Sequence, residues 1–206
     1  MTITAYQMLL YSGALAILFL SPGPVWAALI ARGLSGGFHA AWPLALGVVL
    51  GDAVWPVIAV FGVSWLVSVY ADFLLILRYV AMLVFVVMGV MLIRQAGREI
   101  GTDSRLTAPG MWAGFSAGVL IILSNPKAVL FYMGVLPGFF DVSVLTGMDI
   151  AAIVTASILV PLIGNLILAA FVGKLRSVLT SARALWRINV GSGISLILVG
   201  FVIGLT

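Results

Sequence analysis

Six apolar stretches, at about 3–31, 40–70, 73–93, 111–139, 147–173 and 187–205, take up most of the chain. A bilayer core ~30 Å thick is crossed by about 20 helical residues, and each stretch supplies them. Hydrocarbon offers no partners to backbone N–H and C=O groups, so such stretches must satisfy their own as helices. The expectation is an all-α membrane protein with six transmembrane helices, built as a single integral membrane domain over 1–206. The first, second and fourth stretches exceed the length of one span, which leaves room for tilt or a break. Only 8% of the residues are charged and 64% are hydrophobic, against about 25% charged in a soluble domain. The opening MTITAYQMLL lacks the basic region of a cleaved signal, so Met1 onward reads as mature protein. There is no cysteine, which removes disulfides, thiolate nucleophiles and cysteine metal sites.

Lysine and arginine set the orientation. Arg32 falls in the first loop, Arg94, Arg98 and Arg105 in the third, and Lys174, Arg176, Arg183 and Arg187 in the fifth. The second and fourth loops offer Arg78 alone, with Asp72, Asp141 and Asp149. Loops one, three and five therefore face the cytoplasm and both termini face outside. The basic residues form no stripe with interleaved aromatics, so lipid is a partner and nucleic acid is not. The polar stretch RQAGREIGTDSRLTAPG divides the chain almost in half. Repeat one covers about 1–95, a cytoplasmic loop about 96–110, and repeat two about 111–206. Three helices per half make the second half enter from the opposite side, a 3+3 inverted repeat of the kind found among secondary transporters.

Helices 1 and 4 are each interrupted, at SPGP (Ser21–Pro24) and at NPK (Asn125–Lys127). Pro22 and Pro126 stand 104 residues apart, about half the chain. Serine and asparagine are good N-caps and proline suits the first helical position, so Ser21-Pro22 and Asn125-Pro126 each read as a helix starting anew inside the membrane. A new start exposes N–H groups and the positive end of a helix dipole, and backbone exposed at that depth must line a cavity or pack in protein. In an inverted repeat the two starts point at one midplane, where a carboxylate suits them. Pro43, Pro56 and Pro161 read as plain kinks.

Two ionisable residues lie in the spans, where such groups mark function by default. Asp52 is placed to bind an ammonium, to carry a proton, or to do each in turn. Lys127 is placed to neutralise Asp52 or to bind a carboxylate; an ion pair that only holds helices together is the bland alternative. Asn165, in the fifth span, is either a neutral counterpart of Asp52 or a helix–helix hydrogen bond. Trp55, three residues after Asp52, is placed to wall the pocket. His39 sits at a cytoplasmic helix end and reads as solvated. SVLTSARALWRI in the fifth loop reads as a basic interfacial helix. The spacings Gly47/Gly51, Gly110/Gly114/Gly118 and Gly200/Gly204 read as close helix packing, with a dimer surface as the second reading.

These motifs give the chain its resemblance. SPGP at Ser21–Pro24, GG…LGVVLGD from Gly36 to Asp52, and NPKAVLFY at Asn125–Tyr132 resemble the LysE/RhtB family of bacterial amino acid exporters, and size and span count agree along the whole chain. The resemblance implies a multi-pass exporter of the bacterial inner membrane that moves amino acids or related small amines against protons, often as a homodimer. Its motif positions map to Ser21, Pro22, Gly23, Pro24, Gly51, Asp52, Asn125, Pro126 and Lys127. One departure is DAVWP, which puts Trp55 and Pro56 where smaller or more polar residues are expected and implies a bulkier or more apolar substrate. The expected function is proton-coupled export, with Asp52 as the proton carrier and no cofactor or metal. A metal or inorganic cation exporter on the same scaffold would want more carboxylates or histidines in the spans. An enzyme would need a base beside a nucleophile or metal, and no HExxH or GxSxG occurs; a scaffold would need no buried charge.

Overall fold

A computed structural model describes residues 2–69, 73–94, 96, 110–179 and 182–205. The described residues form α1 (Ala5–Leu20), α2 (Pro24–Val69), α3 (Phe73–Arg94), α4 (Met111–Leu123), α5 (Pro126–Gly134), α6 (Leu136–Phe139), α7 (Gly147–Leu179) and α8 (Ala182–Leu205). No strand occurs among them. Arg98, Arg105 and Asp72 lie outside the described residues, as does Tyr70, an aromatic whose place at the end of the second apolar stretch suggests the membrane interface; so do the side chains of Arg78, Lys174 and Arg176. The interfacial helix expected at 177–188 is instead the end of α7 and the start of α8, with 180–181 outside the described residues.

Pro24–Gly62 and Gly147–Val172 are each long and apolar enough to cross a membrane, and Met111–Leu123 with Lys127–Phe139 form a pair, bent by 52°, that is long enough together. Large apolar side chains point outward: Leu9, Phe61, Leu83, Leu120 and Leu198 are 61–70% exposed. Water does not tolerate such a surface, whereas lipid requires it. Pro24–Gly62 has 39 residues, about 58 Å if straight, nearly twice the hydrocarbon thickness. It is not straight. Gly36 (φ −149°, ψ 20°) and Gly37 (φ 66°, ψ −160°) leave helical geometry and divide α2 in two. Gly37 adopts a positive φ that side chains disfavour.

Arg32 stabilises this turn from inside. It is 2% exposed rather than a loop residue in water. Its Nε donates to the Ala40 carbonyl at 2.6 Å and its Nη2 to the Gly110 carbonyl at 3.1 Å, where α4 begins. Gly114 leaves the room the guanidinium occupies: a Cβ there would lie 2.9 Å from Arg32 Nη2. At the start of α1, Thr4 and Gln7 form a capping box. The Asp149 carboxylate accepts from Thr2 N–H (3.1 Å) and Thr146 N–H (2.9 Å), tying the start of the chain to the start of α7.

The core of the bundle is α2, which packs on α7 and on α4, while α3 packs on α8 and α1 on α7. Glycines allow two close approaches. A Cβ on Gly47 would run into the Phe115 carbonyl and one on Gly118 into the Leu44 carbonyl, so the GxxxG spacings of α2 and α4 serve packing within one chain. The second approach is reciprocal: a Cβ on Gly89 would meet the Gly193 carbonyl and Ile197, and one on Gly193 would meet the Gly89 carbonyl and Ile93. Gly89 and Gly193 are 104 residues apart, and so are Ile93 and Ile197.

Gly118→Val should be strongly destabilising, by about 1–3 kcal/mol or more, because the new atoms meet backbone that cannot give way. Gly13, with nothing within 4 Å of its would-be Cβ, should accept alanine with a gain of about 0.5–1 kcal/mol. Thermal unfolding of the two variants in detergent checks both signs.

Candidate functional site

Both helix breaks are present and they meet. At the first, α1 ends at Leu20 and the chain resumes as helix at Pro24. Ser21 does not N-cap the new helix as its sequence context suggests. It caps the old one: its N–H donates to Ile17 O at 3.1 Å and its Oγ to Leu18 O at 2.7 Å. Three residues rather than one separate the helices because Pro22 and Pro24 both lack an N–H to continue α1. The first bond of α2 runs from Ala27 N–H to Gly23 O, so the N–H groups of Val25 and Trp26 precede it.

The second break matches the expectation from sequence. Asn125 is the N-cap of α5, Pro126 its first residue, and Asn125 Oδ1 accepts the Lys127 N–H at 3.1 Å. The Ala128 and Val129 N–H groups bond the Asn125 carbonyl. The α5 tip is thus satisfied within the chain, which leaves the α2 tip as the one with N–H groups beyond its helical bonds.

Lys127 joins the two breaks. Its Nζ donates to the Ser21 carbonyl, and a Cβ on Gly23 would lie 3.7 Å from that nitrogen. The carbonyl ends of a helix carry partial negative charge, and Ser21 is the C-cap of α1, so a cation there does electrostatic work. The ion pair with Asp52 that the sequence permits is absent among the described residues.

These elements line a half-open chamber, about 490 Å³ when the open solvent in its mouth is counted. Ser21, Gly23, Asp52, Asn125, Lys127 and Asn165 line it, drawn from both breaks, α2 and α7. Leu15, Leu18, Phe19, Val48 and Ile122 make the rest of its wall largely apolar. Asp52 is 4% exposed and Asn165 2%. Asp52 Oδ1 accepts from Tyr132 Oη at 3.1 Å. Asp52 Oδ2, Asn165 Oδ1 and Trp26 Nε1 have no hydrogen-bond partner among the described residues. Buried polar atoms left so are costly, and these three belong to residues lining one chamber. Two are acceptors and one is a donor.

Other expected positions stand beside the chamber rather than on it. Gly51 faces Ile122, with 2.5 Å from its would-be Cβ to Ile122 Cγ2, and lets α2 approach α4. Trp55 is not among the residues that line the chamber; it donates Nε1–H to the Ile122 carbonyl at 3.3 Å, near the end of α4. Pro22 and Pro24 shape the first break; the Pro126 side chain lies outside the described residues. His39 is exposed. No group of three or more His, Asp or Glu side chains gathers among the described residues.

Comparison with known proteins places this geometry. The profile of the LysE type translocators matches residues 16–206. The chain belongs to that family. It is therefore a transporter and not an enzyme. Uncharacterized membrane protein slr1627 of Synechocystis sp. is 37% identical over 149 residues, 71% of each chain. The leucine efflux protein of Salmonella typhimurium is 31% identical over 135 residues, 64% of this chain and 61% of the relative. Chemotactic transduction protein ChpE of Pseudomonas aeruginosa is 32% identical over 118 residues, 54% of each. The match thus spans less than two thirds of the leucine efflux protein and about half of ChpE. No solved structure matches the chain.

In this LysE type translocator the places of Tyr132 and Ser157 near Asp52 escape a reading of the sequence, and Trp26, whose position along the chain suggests a membrane interface, is instead buried on the chamber wall. A signal for Ser157 exists. Asp52 stands four residues before Pro56, and Ser157 four before Pro161, so each proline withholds the N–H that would bond that residue's carbonyl. Of these two prolines, Pro161 lines the chamber.

Asn125→Ala should cost about 1 kcal/mol of stability through loss of the α5 cap, and Asn125→Ser should retain most of it. Unfolding midpoints in detergent, compared with wild type, test the cap directly.

Proposed function

We propose that this translocator exports an amino acid with an apolar side chain across the bacterial inner membrane in exchange for protons. One observation carries the reading: two helix breaks, an acid with a free oxygen and an amine bonded only to backbone converge on one chamber. A zwitterion has the matching ends. Its ammonium suits Asp52 Oδ2 and Asn165 Oδ1, both acceptors without partners. Its carboxylate suits Lys127 Nζ, Trp26 Nε1–H and the α2 tip, whose dipole favours an anion. The apolar wall formed by Leu15, Leu18, Phe19, Val48 and Ile122 takes the side chain, in keeping with the name of the leucine efflux relative.

The chain is read as six spans in a 3+3 inverted repeat, with both termini outside. The reciprocal contact of Gly89 and Gly193 supports it: residues separated by the same 104 positions as the two break prolines face each other, as pseudo-two-fold symmetry requires. Rocking one repeat against the other then exposes the chamber alternately to each side. Substrate enters from the cytoplasm with Asp52 ionised. A proton from outside neutralises Asp52, which releases the ammonium outward, and the proton leaves on the inner side. One inward charge yields ~2.3 kcal/mol per 100 mV, more than the ~1.4 kcal/mol that a tenfold substrate gradient costs. A cation-exporting chamber would need more anionic ligands than Asp52 supplies.

The test is flux of radiolabelled amino acids in proteoliposomes, with and without an imposed pH gradient. Wild type should respond to the gradient. Asp52→Asn should lose proton-driven export while still inserting and folding; wild-type net export by that variant rules out Asp52 as proton carrier. Lys127→Ala should impair transport, and a variant that transports normally with only a lowered melting temperature would make Lys127 a helix-end cation alone.

A further inference from the structure

One part of the chamber's apolar wall owes its position to a missing side chain on the helix behind it. Leu15, Leu18 and Phe19 stand at i, i+3 and i+4 on α1, and all three line the chamber, as residues so spaced on one helix face can. On α7 the same spacing is held by Pro161, Gly164 and Asn165. Pro161 and Asn165 line the chamber and Gly164 does not. The Phe19 ring stands there instead. A Cβ on Gly164 would lie 2.6 Å from Phe19 Cε1 and 2.8 Å from both Cδ1 and Cζ. Not every glycine of the bundle is used in this way: Gly13, on the same helix as Phe19, has nothing within 4 Å of its would-be Cβ.

The ring also meets Trp26, at a centroid distance of 5.8 Å and a tilt of 49°. Trp26 is 7% exposed, and its Nε1 has no hydrogen-bond partner among the described residues. Gly164 is followed directly by Asn165, whose Oδ1 also has none. Phe19 therefore stands beside groups suited to both charged ends of a zwitterion, the indole N–H for the carboxylate and the amide oxygen for the ammonium. In every α-amino acid those two ends leave the same carbon, and the side chain leaves it too. A ring beside both ends is therefore beside the start of the side chain. The sequence points to Trp55 as the residue that shapes this part of the pocket; Trp55 is not among the lining residues, and Phe19 is.

We propose that Phe19, seated on Gly164, sets the size of the subsite that takes the substrate's side chain. The proposal rests on the amino acid reading above and names the residue pair that decides which side chain fits. Carbon atoms in contact stand about 3.5–4.0 Å apart, so a methyl at 164 pushes the ring by roughly 1 Å. Phe19 already lines the chamber, and the displaced ring takes room from it. A smaller residue at 19 gives room back. Apolar pockets respond to such changes, because one methylene more or fewer is worth about 10–200-fold in selectivity.

The test is counterflow at equal pH into proteoliposomes that hold the full chain. Radiolabelled glycine, alanine, valine, leucine, methionine and phenylalanine are each supplied to vesicles loaded with the same unlabelled amino acid. The series shares both charged ends and differs only in side chain, and counterflow needs no pH gradient. Phe19→Ala should raise the rate for phenylalanine relative to alanine by about tenfold. Gly164→Ala should shift that ratio by a similar factor toward alanine. Phe19→Leu added to Gly164→Ala should return the wild-type ranking, because the smaller side chain leaves room for the methyl. If Phe19 only steadied Trp26, its loss would weaken the whole series alike and keep the ranking, which overturns the subsite. Wild-type ranking in Gly164→Ala, or a shift of that variant toward larger side chains, overturns it as well. If Gly164→Ala fails to insert, Phe19→Ala and Phe19→Leu decide by the same ranking. If wild type exchanges none of the series, the amino acid reading itself fails and the subsite falls with it.

Discussion

Everything in this fold answers to the need to satisfy backbone polar groups where no water reaches them. A continuous helix meets that need by itself; an interrupted one does not. The two interruptions here are met in different ways. At the second, Asn125 supplies the missing partner from within its own turn. At the first, α1 ends on a carbonyl that its own helix cannot serve, and Lys127 arrives from the other half of the chain to serve it. One hydrogen bond thus couples the two breaks. It fixes the breaks beside each other, keeps the amine off Asp52, and leaves one Asp52 oxygen without a partner.

The same need explains the turn at Gly36–Gly37. A pair of helices that reverses at the membrane surface exposes carbonyls on the inner side of the turn. Arg32, with five donors on a rigid fork, reaches both the Ala40 and Gly110 carbonyls from a buried position. The sequence counts Arg32 among the charges that mark a membrane face; the structure bonds it to backbone rather than leaving it in water.

Where the chamber is polar, it is polar in a few places with an apolar wall between them. This suits a small zwitterion better than an inorganic ion, because an ion needs a shell of oxygens and a zwitterion needs two opposite ends some distance apart.

The sequence by itself determined the class of the protein, the places of its breaks and most of the chamber's polar lining. Apolar run length is a one-dimensional property, and Pro, Asn and Gly act on their own backbone, so SPGP and NPK were legible at Ser21–Pro24 and Asn125–Lys127. Asp52, Lys127 and Asn165 were legible because a polar group in an apolar run must have a reason. The tertiary structure decided which partner each one takes. Lys127 bonds Ser21 and not Asp52, Trp55 turns to the Ile122 carbonyl, and Ser21 closes α1 instead of opening α2. It also set Tyr132 against Asp52 and Tyr11 against Ser157, ordinary residues of their own helices that meet only when α1, α2, α5 and α7 pack. Such choices depend on distances between elements far apart in the chain, which no local pattern encodes.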